Sequence, residues 1–440
     1  MRLQLRRHEQ DPSADDSSHL VATLDAPRQL SRWFPRWRVW AVRALGLLTL
    51  AQALTIGVLT VVSEVRRQRR PVTGFPRARF EEDLVDGNQL QLYCYGAQLF
   101  EDMLAAIDQA EHSILLETFI WRGDRLGKIF KERLIARAEA GVQVHVIFDN
   151  FANLVVPRAF KRFPPSIHAF KFGALSRPWH LLDPRRYSRD HRKLLVVDGD
   201  IAFLGGYNIG DEFARQWRDT HVRVQGPEAA RLGQAYIDFW NRHTPEGKHI
   251  DWNLRRGVQP RLLHRTNDAR RLLFPIRDMY VDAIDRAEKR VWITNAYFIP
   301  DSAMRIALCH AATRGVDVQV LLPWTSNHVT ADWLGRGFYA QLLASKVRIF
   351  GYQRAMNHAK TMTVDGGWST VGTANLDRLS QIGNYEVNLE VFDEQFARQM
   401  ERLFEIDRTN TFEITLDWWM ARPWYAKIGE RILAPLRPLF

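Results

Sequence analysis

The chain has 440 residues, 46% apolar and 25% charged, which excludes a disordered, collagen-like or low-complexity protein. Lys and Arg number 61 against 50 Asp and Glu, a net charge of +11, so an anionic partner is favoured, whether membrane surface, nucleic acid or phosphorylated molecule. Two cysteines, Cys94 and Cys309, exclude a disulfide framework and a C-x-x-C zinc ligand pair.

Residues 1–38 mix Arg, Asp, Ser and Pro without sustained period and read as a disordered tail. Residues 39–65 read as a membrane anchor. Their centre, Ala44–Ser63, is twenty residues without a charge, enough to cross a bilayer core of about 30 Å as a helix. Trp33, Trp37 and Trp40 precede it, and Arg66, Arg67, Arg69 and Arg70 follow. The alternatives are a cleaved signal peptide and a buried core helix. The long charged pre-region and the lack of an A-x-A site after the apolar run argue against the first. Residues 66–85 read as a basic linker.

The remainder reads twice, as 86–250 and 251–411. In the first reading Phe100, Met103, Leu104 and Ile107 recur at helical spacing, followed by strand-like Ser113–Ile120 and, after a second helix, Val142–Asp149. In the second, Ile276, Met279, Tyr280, Ala283 and Ala287 lead to Val291–Ile299 and then Val316–Leu322. Strand–helix–strand units imply parallel strand pairs. The expected fold is therefore α/β, two similar domains about a pseudo-two-fold axis with an N-terminal transmembrane helix. Residues 412–440 combine Trp418, Trp419, Trp424 and Tyr425 with Arg422, Lys427, Arg431 and Arg437. They read as an amphipathic segment for a headgroup layer, or as a Pro-broken segment packed on the protein.

The duplication is sharpest between Asp190–Ile209 and Asn357–Leu376. Counting from His191 and His358, Lys193 and Lys360 lie two residues on, Asp198 and Asp365 seven, Gly205 and Gly372 fourteen, Asn208 and Asn375 seventeen, and the carboxylates Asp219 and Glu386 twenty-eight. Side chains two apart on a strand share a face, so His-x-Lys projects together. A hairpin through Gly199–Asp200, or through Asp365–Gly367, returns the Gly and Asn beside the histidine. Each copy then offers an imidazole, an ammonium, an amide and glycine-exposed backbone N–H groups to a phosphate. Two facing copies supply one histidine to attack phosphorus and another to protonate the leaving oxygen. Asp219 and Glu386 are each expected to bond their own copy's imidazole. Asp198 and Asp365 belong to the catalytic motif by position, although an Asp before Gly at a strand end also reads as a turn former. No metal or other cofactor is required. Leu154–Lys193 holds ten Lys/Arg against Asp183 and Asp190, a solvated loop or a guide for anionic headgroups.

HRKLLVVD and HAKTMTVD, followed by GGYN and GTAN, resemble the duplicated H-x-K-x4-D motif of the phospholipase D superfamily. RDHRKLLVVDGDIAFLGGYNIGDEF, WRDTHVRVQGP, NAYFIPD and NHAKTMTVDGGWSTVGTANLD look like bacterial cardiolipin synthases, over roughly residues 88–410. The resemblance implies phosphatidyl transfer through a phosphohistidine, with His191 as nucleophile and His358 as general acid. It implies phosphate-holding roles for Lys193, Lys360, Gly205, Asn208, Gly372, Thr373 and Asn375. Thr373 stands where Ser is common and keeps the hydroxyl. The implied substrates are two phosphatidylglycerols on an anionic membrane, with glycerol released and no nucleic acid partner; the sequence leaves open an alternative donor such as phosphatidylethanolamine. The implied site is the bacterial inner membrane, facing the cytoplasm. Many members have two N-terminal membrane segments, where one is found here. The competing functions are a phospholipase D-type hydrolase or nuclease on the same scaffold, and a non-catalytic membrane scaffold. Two intact motifs count against the last.

Overall fold

A computed structural model describes residues 30–69, 74–173, 187–255, 257 and 259–439. The chain divides into two compact units, 1–53 and 54–440. A 40-residue helix runs from Leu30 to Arg69. It takes in the last nine residues of the stretch read as a tail, whose residues 1–29 lie outside the described residues, and it absorbs the start of the expected linker. Within it, Arg38–Val62 is long and apolar enough to cross a membrane. At 1.5 Å per residue those 25 residues reach about 37 Å. Leu45, Leu47, Leu50, Leu54, Val58 and Val61 are exposed, where a water-soluble helix would bury one face.

The first sheet contains β1 (Asp83–Val85), β2 (Asn88–Tyr95), β3 (Ser113–Thr118), β4 (Gln143–Asp149), β5 (Ile167–Phe172), β6 (Leu194–Val197), β7 (Ile201–Gly205) and β8 (Trp217–Gln225), in the order β1-β2-β8-β7-β6-β3-β4-β5. The second contains β9 (Leu262–Thr266), β10 (Arg290–Asn295), β11 (Asp317–Pro323) and β12 (Arg348–Tyr352). After β13 (Met356–Asn357) it continues with β14 (Lys360–Val364), β15 (Trp368–Gly372), β16 (Val387–Phe392) and β17 (Thr411–Ile414). Its order is β17-β12-β11-β10-β14-β15-β16-β9, and β13 pairs with β8 of the first sheet instead. Removing β1 and β17 leaves the same seven-strand path twice. The expected parallel pairs are β3 with β4 and β10 with β11, each continued by a further parallel strand, β5 or β12, and antiparallel pairs complete two mixed sheets. β17 makes the start of the C-terminal segment part of the second sheet, antiparallel to β12.

Local sequence accounts for these elements. Asp124 and Asp301 occupy equivalent N-caps, accepting from the N–H of Gly127 and Met304 at the start of the two crossover helices. β6 reads Leu-Leu-Val-Val, apolar toward both faces. Leu195 and Val197 join the outer core with helices 96–109 and 125–139. Leu194 and Val196 face an inner core that also holds Val371, Val387, Leu389 and Val391 of the second half. The second half buries helices 275–286 and 302–313 against its outer face. Each fully buried aliphatic side chain contributes about 1.5–3 kcal/mol, so the shared inner core fixes one half against the other.

Candidate active site

Each His-x-Lys segment leaves its own sheet and docks on the other half. His191 N–H donates to Tyr385 O at 3.0 Å, and Asp190 bridges Tyr385 in parallel register. β13 lies parallel to the start of β8, and His358 N–H donates to Arg218 O at 2.6 Å. The imidazoles therefore reach the carboxylates of the opposite copy. His191 Nδ1 lies 3.0 and 2.9 Å from the two oxygens of Glu386. His358 Nδ1 lies 2.6 Å from Asp219 Oδ2. The expectation that each carboxylate serves its own copy is corrected: Glu386 and Asp219 each follow the residue whose carbonyl, of Tyr385 or Arg218, receives the foreign histidine's N–H. With Nδ1 engaged, Nε2 is the nitrogen left for chemistry.

Lys193 Nζ donates to His191 O at 2.6 Å, and Lys360 Nζ donates to His358 O. Both lysines are buried. Burial pulls Lys193 down to about 7 and Lys360 to about 8, so their charge awaits an anion to offset desolvation. Burial lowers both histidines. Glu386 opposes the shift at His191, while Lys193 and Lys360 add to it. His358 is lowered further by Lys360, Lys193 and His191. Each half's lysine thus acts on the other half's histidine, which gathers all four groups into one electrostatic site. Burial also raises Asp219 to about 6, so the His358–Asp219 pair takes up a proton near that pH.

Two motif positions have another task. Asp198 accepts from the backbone N–H of Glu111, His112 and Ser113 at 2.8, 2.8 and 2.7 Å. Asp365 accepts from Glu288, Lys289 and Arg290, each at 2.8 Å. Both take φ of +53°, the left-handed turn conformation. The assignment of Asp198 and Asp365 as catalytic is therefore corrected: their oxygens are used up in pinning the hairpin turn to the start of β3 or β10.

The glycines are corrected too. A Cβ on Gly205 would lie 2.4 Å from Thr220 O, and one on Gly372 2.1 Å from Asn388 Oδ1. They permit close approach to β8 and β16 and do not expose N–H groups to a ligand; the next N–H groups, of Gly206 and Thr373, donate to Thr220 O and Val387 O. Thr373 Oγ1 donates to Glu386 Oε2 and accepts from Val387 N–H, so its hydroxyl holds the carboxylate rather than a phosphate. The first half has Gly206 at that position, where a Cβ would fall 2.0 Å from Asp219 Oδ1. Asn208 Oδ1 accepts from Ile120 N–H at 3.1 Å, leaving its amide N–H groups as donors. Asn375 donates to Ser380 Oγ at 3.4 Å, and its Oδ1 is buried without a partner.

Sequence reasoning missed the aromatic walls. The Phe119 ring stands edge-on to His191 at 4.7 Å, with Lys193 Nζ 5.1 Å from its centroid. Trp217 and Tyr297 stand 5.0 and 5.9 Å from His358. Tyr297 lies inside the segment NAYFIPD, already singled out by resemblance. The reading also missed Asp377, raised to about 7 by burial and nearby Glu386, and a buried trio found in one half. Arg192 pairs with Glu117 and lies 3.5 Å from Asp190. A cavity of about 780 Å³ borders Arg192 and Tyr385 but neither His191 nor His358, and its Arg231 and Arg242 already pair with Glu228 and Asp268. Among the described residues no group of three or more His, Cys, Asp or Glu is arranged to hold a metal ion.

The family profile described as cardiolipin synthase, PLD-like domain, matches residues 103–240 and 280–408. A cardiolipin synthase of Clostridium perfringens (strain SM101) is 31% identical over 373 residues, 80% of this chain and 77% of that protein. A cardiolipin synthase A of Pseudomonas putida (strain GB-1) is 32% identical over 416 residues, 92% of this chain and 82% of that protein. Among solved structures, phosphatidylserine synthase of Haemophilus influenzae Rd KW20 aligns with a TM-score of 0.61 at 14% identity, covering 86% of this chain and 97% of that one. That likeness concerns the fold.

Proposed function

The chain belongs to the cardiolipin synthase family with phospholipase D-like domains and is a phosphatidyltransferase of that superfamily; from this premise we propose that it joins two phosphatidylglycerols into cardiolipin through a phosphohistidine on His191. The observation that carries the reading is the pair of crossed histidine–carboxylate contacts.

Glu386 fixes His191 with its proton on Nδ1, so a neutral Nε2 faces phosphorus. Its lowered pKa keeps it neutral near pH 7. Nε2 attacks, the bond from phosphorus to the glycerol oxygen breaks, and His358 gives that oxygen a proton. Glycerol leaves and the phosphatidyl group stays on His191. His358 then takes the proton from the headgroup hydroxyl of a second phosphatidylglycerol, whose oxygen displaces Nε2 to form cardiolipin. Burial and the neighbouring cations lower His358 itself, so the proton it gives and regains is one shared across its contact with Asp219, which burial raises to about 6. Lys193, Lys360 and the amide N–H groups of Asn208 supply positive ends to the phosphate oxygens. Glu386, Asp219 and Thr373 are positioning residues.

Phosphatidylethanolamine is a second donor by the same chemistry. The apolar helix and the family support membrane association; an inner membrane with the site on its cytoplasmic side follows the family. The segments 86–250 and 251–411 serve as the two phospholipase D-like domains. The full chain, given phosphatidylglycerol in mixed micelles without added metal, is expected to yield cardiolipin and glycerol by mass spectrometry. Phosphatidic acid as sole product would replace transfer by hydrolysis.

A further inference from the structure

Beside the catalytic histidine stands a loop whose apolar residues face outward. Phe151, Leu154 and Val155 are 56%, 62% and 79% exposed. A single exposed apolar residue is ordinary; three within five residues of a tethered loop are not. The tether is Asn153, which is buried. Its side chain accepts from Trp121 N–H at 2.8 Å and donates to Phe119 O and Asp149 O at 2.7 Å each. Ala152 N–H donates to Asp149 Oδ1, and Lys161 Nζ to Asn153 O. With its base held, the loop cannot fold these three side chains inward without breaking buried hydrogen bonds.

The same contacts lead to the reaction centre. Phe119, whose carbonyl Asn153 holds, carries the ring that stands against His191. The Arg189 guanidinium lies 4.1 Å from the Phe151 ring, two residues before His191. Arg189 N–H donates to Asn384 Oδ1, and Asn384 N–H to Leu379 O. Leu379 and Ile382, on the short helix Arg378–Ile382, are exposed as well. Apolar side chains thus flank the segment that delivers His191, from both halves. Residues 150–173 also contain Arg158, Lys161, Arg162 and Lys171 with no Asp or Glu. An apolar tip on a segment of net positive charge matches acyl chains beneath anionic headgroups.

We propose that loop 150–166 is a membrane-docking lip at the entrance to the active site, which sinks Phe151, Leu154 and Val155 into an anionic bilayer and brings a phospholipid's phosphate level with His191. The proposal rests on the lipid-transfer reading above and adds how that substrate is presented.

The test uses the full chain and a variant combining Phe151→Ser, Leu154→Ser and Val155→Ser. Two substrates are compared: long-chain phosphatidylglycerol vesicles, and dihexanoyl phosphatidylglycerol below its micellar concentration. The variant is expected to lose about tenfold or more in turnover on vesicles and to match the parent on the monomeric lipid. Equal loss on both, or loss on neither, overturns the lip. A parent protein that makes no cardiolipin from either substrate instead overturns the transfer reading. A nitroxide on Val155→Cys in a Cys309→Ser background gives a second readout. With phosphatidylglycerol bilayers it should become shielded from an aqueous nickel complex and accessible to oxygen; a label that stays in water, or is shielded without bilayers by another part of the chain or a second copy, refutes the proposal.

Discussion

The first half presents His191 to Glu386, whose carboxylate is also held by Thr373 Oγ1; the second presents His358 to Asp219, which has Gly206 where the other half has Thr373. The longer carboxylate needs a hydroxyl to fix its extra torsion. The shorter one needs a missing Cβ beside it. Behind His191 lie Glu117, Asp190 and Arg192, while the matching positions behind His358 are Thr294, Asn357 and Ala359. A shared strand path is thus armed with different electrostatics. In the proposed reaction one imidazole attacks as a neutral nucleophile and the other holds and releases a proton, and unlike surroundings let each half favour one of the two tasks.

The largest effects break the comparison outright. His191→Ala and His358→Ala should each lower turnover by about a thousandfold or more. With radiolabelled phosphatidylglycerol, only His191→Ala should lack the acid-labile phosphoprotein. If His358→Ala is the unlabelled variant, the two halves exchange roles.

The next test is graded by pH. Because burial lowers His191, its protonation begins below the ordinary histidine value of 6.5. Turnover should therefore hold near pH 7 and fall as pH drops through that lowered value. On the alkaline side, Lys193 at about 7 and Lys360 at about 8 lose charge as pH rises, so kcat/KM should decline through that window. Lys193→Arg should move the alkaline limb upward, because guanidinium keeps its proton. A limb unmoved in the variant would remove Lys193 from phosphate binding.

The smallest effect on turnover separates scaffold from chemistry. Asp198→Asn and Asp365→Asn should each cost about 1–3 kcal/mol of stability, read as a lower thermal midpoint, through weakened bonds to three backbone N–H groups. Turnover at 20 °C should stay within a few-fold. For Asp365 partial burial works against ionisation, but those N–H groups hold the carboxyl below its ordinary value. Its contribution is thus present above pH 3.8 and lost as pH falls through the lowered value. A thousandfold loss of turnover without a change in midpoint would restore these residues to the catalytic set.

Much of the candidate site was legible because duplication marks the same residue types twice. His191, Lys193, Asn208 and their counterparts stood out by spacing alone, and the turns read at Gly199–Asp200 and Asp365–Gly367 fall between β6 and β7 and between β14 and β15. The crossing of Glu386 and Asp219 was not legible. Identical offsets in both copies look the same whether each carboxylate serves its own histidine or the other, and only the docking of β13 and Asp190 on the opposite sheet decides it. Gly205 and Gly372 misled for a related reason: a glycine after a strand reads equally as an anion cradle or as clearance for a neighbouring strand. Phe119 and Trp217 lie outside the histidine motifs, and their nearness depends on tertiary packing. The long helix overran its reading at both ends because polar residues extend a helix beyond its apolar core.

The exchange of carboxylates also bears on descent. A single copy of this unit, cut free, would own a histidine with no acid to orient it and an acid with no histidine to serve. It could work only by lending and borrowing across a homodimer. Tandem fusion makes that loan permanent and lets the two lenders specialise, as Thr373 with Glu386 and Gly206 with Asp219 have done. Thereafter a change in either acid is answered by the far copy, so the two sequences are free to drift apart in everything except what each owes the other.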